Sequence, residues 1–336
     1  MKNTVFCSKT NKDGDFSATI LSDTQEVKEL AAHDLLVEIG AVAVNPIDLK
    51  RQQLIPENQT EVLGYDAVGK VVAMGSKVST DFLGKRVYYM GTTKREGSYQ
   101  KYQLVDEELV ALAPTTFSDG EAAALPLTSL TAWELLFEKF QLIPEENTNS
   151  GKKILLINAG GGVGSIAGQL AKWCGLEVYG TASPKHFSWL EINGVDHCLD
   201  YHQDLASQLP AQLKFDFIAC FYDSSEYLPQ LAALIQPFGR IGSIVNTAES
   251  LDLNPLKNLS VSFDWVYVFT KTDFSQGTSQ GIILKKIADL VENGKLTSTM
   301  RKEFTDGITQ KNLAEAFSLV QKGHPGKVVL SGGIIA

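Results

Sequence analysis

Cysteine is scarce in this chain. There are four in 336 residues, Cys7, Cys174, Cys198 and Cys220, and no two stand in CxxC spacing. That spacing argues against a disulfide framework and a four-cysteine zinc knot, and a reducing, cytoplasmic setting is expected. No run approaches the ~18 uninterrupted apolar residues of a membrane span, and Met1 to Thr10 lacks the apolar core of a secretory signal. Basic residues are outnumbered, 30 against 39 acidic, for a net charge of -9, and no Lys/Arg run offsets it. Nucleic acid and membrane are therefore not expected partners. What the chain does have is 44% hydrophobic and 21% charged residues, the balance of an ordinary soluble protein, at a length that suits two domains.

The first third reads as β-rich. Asp34–Val44 is apolar and β-branched and stops at Asn45-Pro46. The glycine-punctuated stretch Leu63–Gly75 follows, then Lys85–Met90 and Tyr99–Val105. Short strands at close spacing predict a barrel-like domain. Ser118-Asp-Gly-Glu121 has capping-box spacing ahead of an Ala-rich segment, and Thr128–Phe140 carries Leu130, Trp133, Leu135, Leu136 and Phe137 at helical intervals. Beyond Gly151 the period changes to buried strand and helix in alternation. Lys152–Asn158 is a strand, Gly164–Trp173 a helix, Glu177–Thr181 a strand, and Phe215–Cys220 and Arg240–Val245 continue the series. That alternation predicts an α/β fold with a doubly wound parallel sheet. Helices over Ile282–Val291 and Leu313–Gln321 close the chain. The last strand, Gly326–Leu330, has no neighbour in sequence and is expected to return to the N-terminal domain.

Between the first strand and helix of this series lies Asn158-Ala-Gly-Gly-Gly-Val-Gly164. In the G-x-G-x-x-G register Gly161 and Gly164 are the second and third glycines, and Ala159 takes the first place. Glycines there let backbone N–H groups approach a pyrophosphate seated on the helix N-terminus. Ala159, Gly160, Gly161, Gly162, Val163 and Gly164 are thus the candidate dinucleotide-binding residues; the alternative is a plain tight turn. An NAD site would place an acid at the end of the second strand. Here the strand ends at Thr181-Ala182, and Ser183-Pro-Lys185-His186 follows, offering a hydroxyl and a cation to a 2′-phosphate. The expected cofactor is NADPH, with Ser183 and Lys185 as its 2′-phosphate contacts; otherwise these are loop residues.

Val44–Lys50, Leu63–Gly69, Glu121–Glu134, Ala159–Gly164, Trp265–Lys271 and Gly326–Leu330 together resemble the medium-chain dehydrogenase/reductase superfamily. The likeness is to its quinone-oxidoreductase branch and to bacterial zinc-type alcohol dehydrogenase-like proteins. It implies a GroES-like barrel, residues 1–126 with a return segment over 271–336, and a Rossmann NADP-binding domain inserted at 127–270. It also places Asn45, Tyr65 and Thr131 beside the reacting groups as catalytic residues, lets Lys327 reach the cofactor, and implies a homodimer. For Tyr65 the alternative is a core aromatic, and for Lys327 a surface lysine. Asp48 is read as a structural cap.

By the same resemblance, Asn45, Tyr65 and Leu127 stand where a catalytic zinc would have Cys, His and Cys, and Asp66 stands for a neighbouring Glu. No metal is expected from that set. Without a Lewis acid, a quinone or α,β-unsaturated carbonyl is an easier hydride acceptor than an alcohol is a donor, because conjugation spreads the developing charge. The expected activity is hydride transfer from NADPH to such a small-molecule electrophile. The competing readings are a zinc-dependent alcohol dehydrogenase and an NADPH-binding regulatory protein of low turnover. Trp265, Tyr267 and Phe269 alternate as on one strand face, with Phe274 beyond; this stripe is read as core or as a stacking surface. Cys174 and Cys220 are read as buried, inert thiols.

Overall fold

The computed structural model describes every residue except Asp13, Thr278 and Ala336. The chain divides into two units, Met1–Leu127 with Phe269–Gly294 and Ser298–Ala336, and Thr128–Val268 with Lys295–Thr297.

The first unit is built on a seven-stranded sheet. Its order is Met300–Phe304, Lys327–Ser331, Asp34–Val44, Ala67–Met74, Arg86–Tyr89 and Val110–Leu112, with Tyr102–Asp106 also paired to Asp34–Val44. The long strand Asp34–Val44 is buried along nearly its whole length, as its unbroken apolar run requires. Strand Lys327–Ser331 pairs antiparallel with it, Val328 opposite Val44, so the chain's last strand does return to the N-terminal sheet. A smaller sheet joins Lys2–Ser8, Ile20–Glu26 and Glu61–Val62. Helix Pro46–Leu54 starts where Asn45-Pro46 ends the long strand, because proline suits the first helical position and no strand interior. The capping box of Ser118 and Glu121 forms as its spacing demands. One apolar cluster runs from Val5 and Phe6 through Val42, Leu63 and Tyr99 to Phe317 and Leu330.

The second unit holds a six-stranded sheet in the order His197–Asp200, Glu177–Ala182, Lys153–Ile157, Phe215–Cys220, Ile235–Ser243, Ser262–Trp265. Every pairing is parallel. Numbered along the chain this is 3-2-1-4-5-6, the Rossmann order, whose switch point lies at Lys153–Ile157. The fold is thus the doubly wound α/β sheet together with a GroES-like β domain.

Three local expectations are corrected. The helix after the glycine turn starts at Gly162, two residues before Gly164. The helix Pro126–Trp133 passes into a wider π-turn over Glu134–Lys139. The aromatic stripe does not form, because the strand stops at Trp265 and Phe269 is the N-cap of a short helix. Trp265, Tyr267 and Phe274 are exposed while Phe269 is buried, so the core reading fails for three of the four. Cys174 and Cys220 are fully buried, and burial pushes their thiols up to about 11 and about 12, the inert state expected of them.

Candidate functional site

The glycine turn lies at the C-terminal end of Lys153–Ile157, where parallel sheets bind ligands. Asn158 takes a left-handed φ of 63°, its N–H donates to Thr181 Oγ1 (2.9 Å), and Ala159 N–H donates to Thr181 O (3.0 Å). These bonds clamp the turn to the neighbouring strand. Gly164 is fixed by space: a Cβ there would lie 2.5 Å from Asn158 O, so only glycine allows helix and strand this close. The N-cap of helix Gly162–Trp173 is Gly161, and no side chain caps it. Its first-turn N–H groups are therefore left for an outside acceptor, and the helix dipole favours an anion. The arrangement fits a dinucleotide pyrophosphate. Ser183 follows the end of the adjacent strand, and Lys185 is exposed within the single turn Pro184–His186.

The first unit contains a different kind of site. Asn45 ends the long strand and begins helix Pro46–Leu54, and its backbone N–H donates to Asp48 Oδ2 (2.7 Å). Asp48 also accepts from Gly64 N–H (3.1 Å), so it is the structural cap expected of it, and it is fully buried. The Asn45 side chain also reaches away from the helix. Its Nδ2 donates to Asp66 Oδ2 (2.8 Å), and its Oδ1 accepts from Lys327 Nζ. Lys327 Nζ also donates to Asp66 Oδ2 (2.9 Å), and Leu127 N–H donates to Asp66 Oδ1 (2.7 Å).

Asp66 thus accepts from a backbone amide, a side-chain amide and an ammonium, the pattern of an ionised carboxylate. Burial raises its pKa against the pull of Lys327. Burial likewise pushes Asp48 up to about 7, against its bond from Asn45 and the charge of Lys327. With side chains 3% and 0% exposed, Lys327 and Asp66 form a buried ion pair, and the surface-lysine reading is corrected. The strand Lys327–Ser331 buries its first residue because it enters the sheet beside Val44.

Tyr65, next to Asp66, is buried, and its ring meets Phe269 edge-on with centroids 5.0 Å apart. Burial first, then the negative charge of Asp48, hold its phenol well above the usual value, against the pull of Arg51. Tyr65 therefore keeps its proton and can act as a hydrogen-bond donor. Asn45 and Lys327 come into direct contact. Thr131 is buried in Pro126–Trp133 and belongs to the second unit. The sequence pattern alone does not single out Asp66 as a site residue, though Leu63-Gly-Tyr-Asp66 sets it beside a metal-ligand position.

These residues do not fit a zinc ion. Asn45 Oδ1 is taken by Lys327, Leu127 contributes a donor, and the group at the centre is itself a cation. Among the described residues no three His, Cys, Asp or Glu side chains are placed to hold a metal. No helix among them is long and apolar enough to cross a membrane.

Family models match the chain over two stretches: an alcohol dehydrogenase GroES-like domain at residues 31–115 and a zinc-binding dehydrogenase at 193–330. A zinc-type alcohol dehydrogenase-like protein of Staphylococcus aureus is 38% identical over 302 residues, covering 89% of this chain and 90% of that protein. The chloroplastic NADPH-dependent alkenal/one oxidoreductase of Arabidopsis thaliana is 29% identical over 317 residues, 90% of this chain and 73% of that one. A crystal structure of a zinc-dependent alcohol dehydrogenase-type protein from Rhizobium etli superposes with a TM-score of 0.92 at 33% identity, over 100% of this chain and 99% of that one. The chain belongs to the medium-chain dehydrogenase/reductase superfamily and is an oxidoreductase of that family.

Proposed function

We propose that this protein transfers a hydride from NADPH to a quinone or an α,β-unsaturated carbonyl without a metal. The buried Asn45–Asp66–Lys327 cluster carries the reading: where the resemblance would put a zinc ion, the chain has an ammonium held by a carboxylate and an amide. Such a centre stabilises an oxygen that is already conjugated, and it lacks the strong Lewis acidity that an unactivated alcohol needs. The uncapped helix at Gly162–Trp173 suits the dinucleotide, which supplies the hydride when bound. Ser183 and Lys185 favour the 2′-phosphate of NADPH, as no acid ends the strand Glu177–Ala182. The NADPH dependence in the name of the Arabidopsis relative supports the same choice. Ser262–Trp265 is the last strand of the six-stranded sheet and, among the described residues, pairs on one side only, which favours a homodimer.

Oxidation of NADPH, followed by absorbance with a panel of quinones and enones in chelator, tests the reading. Turnover is expected to survive the chelator. Lys185→Ala is expected to raise the KM for NADPH about tenfold and leave that for NADH unchanged. Activity on an alcohol that appears only when zinc is added would overturn the proposal.

A further inference from the structure

The Lys327 ammonium has three N–H donors. Two go to Asn45 Oδ1 and Asp66 Oδ2, and no third hydrogen bond from Nζ is made among the described residues. The side chain is 3% exposed, so bulk water is not a general partner. A buried ammonium with an open donor is costly, and such groups are completed by an ordered water or a ligand. Its two partners also hold it in place. Asn45 is anchored through its backbone by Asp48, and Asp66 is anchored by Leu127 N–H, so the donor is fixed before anything binds.

We propose that Lys327 is the catalytic electrophile of the reaction above, its third N–H bonding the carbonyl oxygen of the substrate. This rests on the function proposed in the preceding section. NADPH, when bound, would supply a hydrogen with its electron pair to the β-carbon of the enone. The carbon–carbon π pair shifts toward the carbonyl carbon, and the carbonyl π pair moves onto oxygen. The substrate would then be an enolate and the dinucleotide left oxidised, and the enolate would take a proton from solvent at its α-carbon to give the saturated ketone. Lys327 keeps its own proton throughout: its bond strengthens as the oxygen becomes negative, which is where a fixed donor lowers a barrier. Asn45 and Asp66 are positioning residues that act through it.

The test pairs kinetics with a binding signal that needs no turnover. 4-Nitrophenol, a conjugated oxyanion when ionised, is titrated against wild-type protein holding oxidised dinucleotide, and its absorbance reports ionisation. Wild type is expected to lower the nitrophenol midpoint by about one pH unit, and Lys327→Met to abolish that shift. In the enone assay Lys327→Met is expected to lose about 10²- to 10³-fold in kcat/KM. Because that change strands Asp66, Asp66→Asn/Lys327→Met, which removes both charges, is measured beside it and is expected to show the same kinetic loss. Saturable rescue of Lys327→Ala by methylammonium separates a missing ammonium from a damaged fold.

A Lys327→Met enzyme within about threefold of wild type would overturn the role of Lys327 while leaving the reductase intact. So would a nitrophenol midpoint that does not depend on Lys327. A wild type inactive on every enone and quinone would instead overturn the functional reading, and the nitrophenol shift would still decide whether Lys327 receives an oxyanion.

Discussion

The two units offer donors to a charged ligand by opposite means. In the second unit the donors are backbone N–H groups at the start of Gly162–Trp173, drawn from consecutive residues and aimed by one turn. In the first the donor is the Lys327 ammonium, held by the Asn45 and Asp66 side chains from as far as 282 residues away and sealed from solvent. A backbone site needs little from side-chain chemistry beyond the absence of a Cβ. A buried side-chain site needs every partner present, since each stranded group keeps its full desolvation cost.

That contrast can be broken most severely at Asp66. Asp66→Ala would leave Lys327 as an uncompensated buried cation and orphan the Leu127 and Asn45 donors. A loss of about 3–5 kcal/mol is expected, read as a lower urea midpoint, with the double change Asp66→Asn/Lys327→Met costing clearly less. Gly164→Val comes next. Its Cβ would sit 2.5 Å from Asn158 O, so overpacking of about 1–3 kcal/mol is expected. The displaced helix start should also weaken dinucleotide binding about tenfold or more, measured by titration.

The smallest effect is a pH slope. The folded value of Asp48, about 7, lies above its unfolded value, so its protonated form favours the fold. That contribution is whole below about pH 4 and is lost as the pH rises through about 7. Asp48→Asn cannot titrate. The melting temperature of wild type relative to Asp48→Asn should therefore fall by a few degrees between pH 4 and pH 7. A difference that stays flat would mean that Asp48 is ionised throughout.

The same contrast explains what could be read from the residues alone. Asp34–Val44 is legible because an apolar run bounded by Asn-Pro has one sensible reading. The glycine turn is legible because its chemistry is local, lying between a strand and a helix. Lys2–Ser8 and Ile20–Glu26 are not, since the latter is a polar strand buried only at its first residue. The burial of Lys327 is equally silent. A lysine ahead of Val-Val-Leu looks like a solvated strand end, and its partners are 282 and 261 positions away. Asp66 is hidden for the same reason, and the aromatic alternation after Ser262 misleads because the strand stops before the pattern does.

The strand that carries Lys327 has a temporal meaning as well. During synthesis, Asn45 and Asp66 emerge long before the ammonium that neutralises them. All the strands of the six-stranded sheet are complete by Trp265, while the seven-stranded sheet waits for Lys327–Ser331. A ribosome-bound chain stalled before that strand would hold an assembled nucleotide fold, and a barrel with an open seam and an unanswered carboxylate. The first unit to begin is the last to close, so its proposed electrophile emerges only after every strand of the six-stranded sheet.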